Sequence, residues 1–284
     1  MSGRLNGKVA VVTGASGGIG AAIALALVTE GASVALGARR IEALEGVKAE
    51  IASATGAGDR VTLAQTDVTK REQVQALVAA AEQAFGPVDI LVNNAGVMPY
   101  ELIKHVNQDS WDRTVDINCK GVLNGVGAVL PKMLERKSGH IVNISSDAGR
   151  QVFAGLGVYS ASKMFVEAIS KALRLENVGS GLRVTSIQAR TISSVESAVV
   201  NAFCSRSCAV RLGNLQPGNV ATELVAHANA VSGVDAEAMK LYGEPSGHEV
   251  LKSVDVANAV VYAVTQPPYV AVNEVLVQPR DEPI

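Results

Sequence analysis

The segment that most constrains this chain is Thr13-Gly14-Ala15-Ser16-Gly17-Gly18-Ile19-Gly20, a glycine-rich turn between a short apolar run, Val9 to Thr13, and a helix-period stretch, Ile19 to Thr29. Strand, tight turn and helix in direct succession place the turn at the carboxyl edge of a strand, against helix amides that lack intrahelical partners. Gly14, Gly18 and Gly20 let the backbone turn sharply and approach a pyrophosphate, with Ser16 and Ile19 completing the cradle. The spacing is G-x-x-x-G-x-G without a following Gly-Lys-Ser/Thr, which excludes the loop of a nucleoside triphosphatase.

Short apolar runs recur along the chain at Ser33 to Gly37, Val61 to Gln65, Val88 to Val92, His140 to Ser145, Leu182 to Ile187 and Val272 to Val277. Most are apolar throughout, as strands buried on both faces are, so the expectation is seven parallel strands in a doubly wound α/β sheet. Helices are expected at Ile41 to Ala54, Arg71 to Phe85, Asp109 to Arg136, Tyr159 to Val178 and Ser253 to Thr265, with a shorter one at Asp235 to Leu241. No linker or repeat divides the chain, and a 48% hydrophobic composition over 284 residues is ample for one core. Residues 1–284 therefore read as one domain. Only Ala189 to Gln216 breaks the rhythm: it is an insertion between a strand and the Pro217-Gly218 turn, longer than such connections usually are.

Charge removes several functions. Lys and Arg number 25 against 27 Asp and Glu, so no net field draws nucleic acid or an anionic membrane. Cys119, Cys204 and Cys208 make neither a disulfide framework nor a paired metal motif. No apolar run has the length of a membrane span, and none precedes a cleavage site near Met1. The expectation is a soluble cytoplasmic protein with no metal.

The second strand runs into Arg39-Arg40, where a cofactor with a free ribose diol would meet a carboxylate. Two guanidinium groups suit a 2'-phosphate and point to NADP(H), although the pair can also serve as a solvated helix start. Asp67 and Val68 end the third strand, where Asp67 can meet an adenine amino group or cap the next helix. Asn94, Ala95 and Gly96 end the fourth strand at the same edge, fit either for close approach to a bound ring or for bridging neighbouring loops.

Tyr159 and Lys163 lie four apart in a helical stretch, on one face. A phenol near pKa 10 needs about 4 kcal/mol of preferential phenolate stabilisation to titrate about 3 units lower, and a nearby ammonium and a nicotinamide cation both act in that direction. Ser145 closes the strand His140 to Ser145 with a hydroxyl suited to a carbonyl oxygen, and Ser146 offers the same chemistry. Asn118, inside a long helix, can bend it or hold a water near Lys163. Taken together, these groups call for hydride transfer with acid-base assistance. A hydrolase built on Ser145 lacks the G-x-S-x-G elbow, and His140 suggests no relay.

With these motifs and Pro217-Gly218-Asn219-Val220-Ala221-Thr222, the chain resembles the short-chain dehydrogenase/reductase family, within it the NADP-dependent 3-hydroxy acid and serine dehydrogenase type and the clavulanate-type reductases. The resemblance implies a single-domain Rossmann fold with a seven-stranded parallel sheet and catalysis on a small hydroxy acid, secondary alcohol or carbonyl compound. It also implies that Ser145 polarises the substrate oxygen, Tyr159 exchanges the proton, Lys163 lowers the tyrosine pKa and holds the nicotinamide ribose, and Asn118 positions a relay water. Pro217, Gly218, Val220 and Thr222 would border the nicotinamide. A homotetramer is implied as well. The competing expectation is a catalytically impaired cofactor-binding or regulatory protein on the same fold, owing to the insertion.

Overall fold

The computed structural model describes residues 3–190, 235, 237–238 and 251–280. Seven parallel strands form one sheet: β1 (Val9–Thr13), β2 (Ser33–Ala38), β3 (Val61–Gln65), β4 (Ile90–Asn93), β5 (Gly139–Ser146), β6 (Leu182–Ala189) and β7 (Glu274–Val277), in the order β3-β2-β1-β4-β5-β6-β7. The helices are α1 (Gly18–Thr29), α2 (Ile41–Thr55), α3 (Arg71–Phe85), α4 (Gln108–Val115), α5 (Gly121–Glu135), α6 (Gly157–Glu176) and α7 (Ser253–Val264).

Alternation along the strands splits the interior into two cores. Ala10 and Val12 of β1 pack with Ile23 and Leu27 of α1 and Val256 and Val260 of α7. Val9 and Val11 face the other way, onto Leu77 of α3, Val126 of α5 and Val166 of α6. A strand buried on both faces must be apolar at every position, which is why VAVVT carries no polar alternation. The strand order turns back on itself between β1 and β4, and the crevice above that switch point is where such sheets take ligands.

The fold matches the sequence expectation in strand number, direction and single-sheet architecture. One element differs. The single helix expected from Asp109 to Arg136 is α4 and α5 joined through a π-helical turn, Asp116–Lys120. The wide turn carries Asn118, whose Oδ1 accepts from the Val97 amide and whose Nδ2 donates to the Val97 carbonyl, both at 2.9 Å. Asn118 satisfies loop backbone that would otherwise be buried unpaired, and the helix gives up its regular period there. The insertion from Arg190 onward, Pro217, Gly218, Val220, Thr222, Cys204, Cys208 and most of the helix expected at Asp235 to Leu241 lie outside the described residues, apart from Arg190 itself.

Candidate active site

A cavity of about 610 Å³ lies along the carboxyl ends of β1, β2, β4 and β5, bounded by the glycine turn at one end and by Tyr159 and Lys163 at the other. The turn is shaped by backbone contact. A Cβ at Gly14, where φ is +66°, would stand 2.7 Å from the Ala95 Cα, and one at Gly20 would stand 2.3 Å from the Gly14 carbonyl oxygen. Only glycine fits either place. Asn94 locks this approach by donating from Nδ2 to the carbonyls of Thr13 (3.0 Å) and Gly14 (3.1 Å). The Thr13 hydroxyl accepts from the amides of Asn94 and Ala95, a part in the site that the sequence reading did not give it. Of the two roles open to Asn94 and Ala95, bridging neighbouring loops is the one these hydrogen bonds display, and Gly96 continues the cavity wall beside them.

Helix α1 starts at Gly18 with no side-chain cap and no acidic residue in its first turn, so its leading amides and the positive end of its dipole face the cavity. Arg39 and Arg40 stand exposed at the end of β2 and line the same cavity, with an Arg40 Nη2 to Ser16 Oγ distance of 3.5 Å. An uncapped helix start, a backbone cradle and two guanidinium groups fit a 2'-phosphorylated dinucleotide. Arg113 of α4, which the sequence reading passed over, joins this wall. Its pKa is lowered by burial and by the like charge of Arg39. Asp67 lines the cavity with Oδ1 accepting from the Thr69 amide (3.0 Å) and hydroxyl (2.8 Å), while the cap position of α3 belongs to Lys70. The capping alternative for Asp67 is therefore replaced by a turn built on its own side chain, and buried Val68 sits beside it.

At the other end, Tyr159 and Lys163 are 5% and 7% exposed on one face of α6. The Lys163 ammonium donates to the Ile144 carbonyl at 2.9 Å and lies 5.6 Å from the centre of the Tyr159 ring. Burial lowers its pKa to about 8, against the raising influence of Cys119 and Glu167. Burial also pushes Tyr159 well above an ordinary phenol, opposed by a hydrogen bond with Ser146 and reinforced by Asp147 and Tyr100. In the protein alone desolvation outweighs the contact that favours phenolate, so the lowering expected of Lys163 and a nicotinamide cation acts against burial.

The two serines separate because successive strand residues face opposite sides of a sheet. Ser146 is the one at the Tyr159 phenol, and its hydroxyl also accepts from the Ala148 amide at 3.2 Å. Ser145, the residue given that place by the sequence reading, is buried with its hydroxyl unpartnered and lines the same cavity as Tyr159 and Lys163. Period-two alternation was the signal that distinguishes them, once one strand neighbour is placed. Asn118 is 1% exposed, with its side chain engaged by the Val97 backbone and by the Ser162 hydroxyl (3.0 Å), so it fixes a loop at the π turn.

Substrate-side packing around Tyr159 consists of Met98, Tyr100, Ala148, Leu156 and Ala238, with Phe153 against it. Asp147 pairs with Arg190, and Arg150 is held by Gln188 and Glu274. His140 is buried at the opposite end of β5, bonded to Thr185, with its pKa lowered to about 3 by burial. It is remote from the site, as expected. Among the described residues no group of His, Cys, Asp and Glu is arranged to hold a metal.

The short chain dehydrogenase model matches residues 8–205. The chain belongs to that family. It is 52% identical over 99% of its length to the glycine betaine reductase of Emericella nidulans, of which it spans only 19%. An uncharacterised oxidoreductase of Staphylococcus saprophyticus is 37% identical, with 97% of each chain covered. A solved serine dehydrogenase in its closed form with NADP+ superposes at a TM-score of 0.76, with 30% identity over 97% of this chain and 96% of that one.

Proposed function

We propose that this chain reduces a small aldehyde or ketone to its alcohol, and oxidises a hydroxy acid in the reverse sense, with Tyr159 as the proton-exchanging group, Ser146 as the group that polarises the carbonyl, and Lys163 beside them. The convergence of Ser146 and Lys163 on Tyr159, at the far end of a cavity that begins at an anion-binding turn, supports this reading. When bound, NADPH supplies the hydride. The Ser146 hydroxyl donates to the substrate oxygen, and the Tyr159 phenol delivers its proton to that oxygen as the carbonyl becomes an alcohol. Burial keeps the phenol protonated in the protein alone, which is the form a reduction requires. Lys163 brings a cation to the side of the phenol and a donor for a ribose hydroxyl. The residues that would hold the dinucleotide are Gly14, Ser16, Gly18, Ile19, Gly20, Arg39, Arg40, Asp67, Val68, Asn94, Ala95 and Gly96.

The substrate is a compact one, because Met98, Tyr100 and Leu156 close on Tyr159 and the nearby guanidinium groups of Arg150 and Arg190 are already paired. A homotetramer in the cytoplasm completes the reading. Leu123 on α5 and Leu175 on α6 are 44% and 77% exposed, apolar surface that docking of these helices against symmetry mates would cover. The test is NADPH-linked turnover on serine, 3-hydroxy acids, simple ketones and betaine aldehyde, the last because of the glycine betaine reductase relative. It is run on the full chain and on a chain lacking residues 189–216. Turnover on any of these that disappears in Tyr159→Phe supports the proposal, whereas NADPH binding without turnover in either form favours the impaired-protein alternative.

A further inference from the structure

Helix α4 turns one face to the cavity: Asp109, Asp112, Arg113 and Asp116 all line it, at the spacing of successive turns. Arg113 is half-buried and lies in the last turn of α4, where a basic side chain usually answers the negative end of a helix dipole. That need is absent here, because α4 runs through the π turn directly into α5. The rod so formed is fixed against the end of β3. Asn124 of α5 donates to the Val68 carbonyl at 2.8 Å, and a Cβ at Gly121 would stand 2.8 Å from the Val68 Cγ2. Arg113 thus reaches the cavity from the helical layer of α3 and α5, whereas Arg39 and Arg40 lead from β2 into α2, in the layer on the other face of the sheet.

We propose that Arg113 is a third specificity-determining residue for NADP(H), meeting the cofactor's 2'-phosphate from the α4 side while Arg39 and Arg40 meet it from the β2 side. The inference rests on the reading of Arg39 and Arg40 as the phosphate end of the site. Among the described residues, no carboxylate lies within ion-pair distance of any of the three arginines, and Asp116, one turn beyond Arg113, is taken by Lys120. A half-buried guanidinium without a counter-ion is costly, more so beside a second one, and a phosphate dianion between them removes that cost. The local balance of charge points the same way. Asp67, Asp109 and Asp112 bring three carboxylates to the cavity, so Arg39 and Arg40 alone would be outnumbered and a phosphate repelled. Arg113 offsets the third.

The test is isothermal titration of the full-length protein with NADPH, NADH, adenosine 2',5'-bisphosphate and 5'-AMP, the last two being the adenine end alone with and without the 2'-phosphate. Arg113→Met, which keeps an apolar stem and removes the charge, should weaken NADPH and the bisphosphate by about tenfold, more at low ionic strength than at high, and leave NADH and 5'-AMP within about twofold. Arg113→Lys should recover part of the loss, since a point charge replaces a planar fork. Parental affinity for all four ligands in folded Arg113→Met overturns the proposal. An equal loss for phosphorylated and unphosphorylated ligands overturns it too, because it would put Arg113 on the adenine or the diphosphate. If Arg113→Met does not fold, Arg113→Lys alone decides: a loss of about threefold confined to NADPH and the bisphosphate supports the role, and parental affinities overturn it. Arg39→Ala is titrated alongside. A parent that binds NADH as tightly as NADPH defeats the reading of the β2 arginines, whereas discrimination lost in Arg39→Ala and kept in Arg113→Met defeats only the inference.

Discussion

At the nucleotide end of the cavity Arg39 and Arg40 remain in water, while at the chemical end Tyr159 and Lys163 are almost wholly excluded from it. The difference separates recognition from reaction. A solvated guanidinium gives each phosphate contact a modest, salt-sensitive gain. A buried phenol and ammonium lose hydration, and burial moves both ionisations, one up and one down, toward their neutral forms. Specificity for the cofactor should therefore erode in small steps when the first end is altered, and turnover should collapse when the second end is.

The largest effect expected is that of Tyr159→Phe, a loss of about a thousandfold in turnover with NADPH affinity nearly unchanged, measured by steady-state rates and by cofactor titration. Equal losses in both quantities would abolish the division between the two ends. Ser146→Ala should cost about a hundredfold in turnover, as removal of a donor to a developing oxyanion does, whereas Ser145→Ala should cost less than about threefold. Reversal of that order would return the polarising role to Ser145. Arg39→Ala and Arg40→Ala should each weaken NADPH binding by about tenfold, in a salt-dependent way and with NADH binding unaffected. Isothermal titration at two ionic strengths checks this, and equal affinity of the parent for both cofactors would refute it. The smallest effect concerns Lys163. Because burial lowers its pKa to about 8, it is an ammonium below that pH and neutral above it, so NADPH affinity should fall by about threefold or less between pH 7 and 9. Lys163→Met should be flat across that range.

The inner strands were legible because a doubly buried strand must be apolar throughout, and β1, β3 and α3 have the bounds expected of them. The glycine turn was legible because backbone contact leaves no room for a Cβ at Gly14 or Gly20. Ser145 and Ser146 were not separable in the sequence for a physical reason as well. Neighbouring serines at a strand end carry identical chemistry and differ only in the face they present, which composition does not encode. The π turn escaped because its cause is a contact between Asn118 and Val97, 21 residues away. The direction of the Tyr159 shift depends on how completely Met98, Tyr100 and Leu156 close over the ring, a property of packing.

The strand order has a consequence for how the chain is made. β1 is central, with β2 on one side and β4 on the other, and its register with β4 pairs Ala10 with Ile90, Val11 with Leu91 and Val12 with Val92. During synthesis β2 reaches it early, but its second edge stays open until residue 92 has left the ribosome. For that interval the apolar run that will carry the phosphate turn is an unpaired strand edge, the surface on which nascent chains stick to one another. Slow decoding or a pause between β2 and β4 would prolong that exposure, and a chaperone that recognises extended apolar segments would find its site there, before any part of the catalytic end exists.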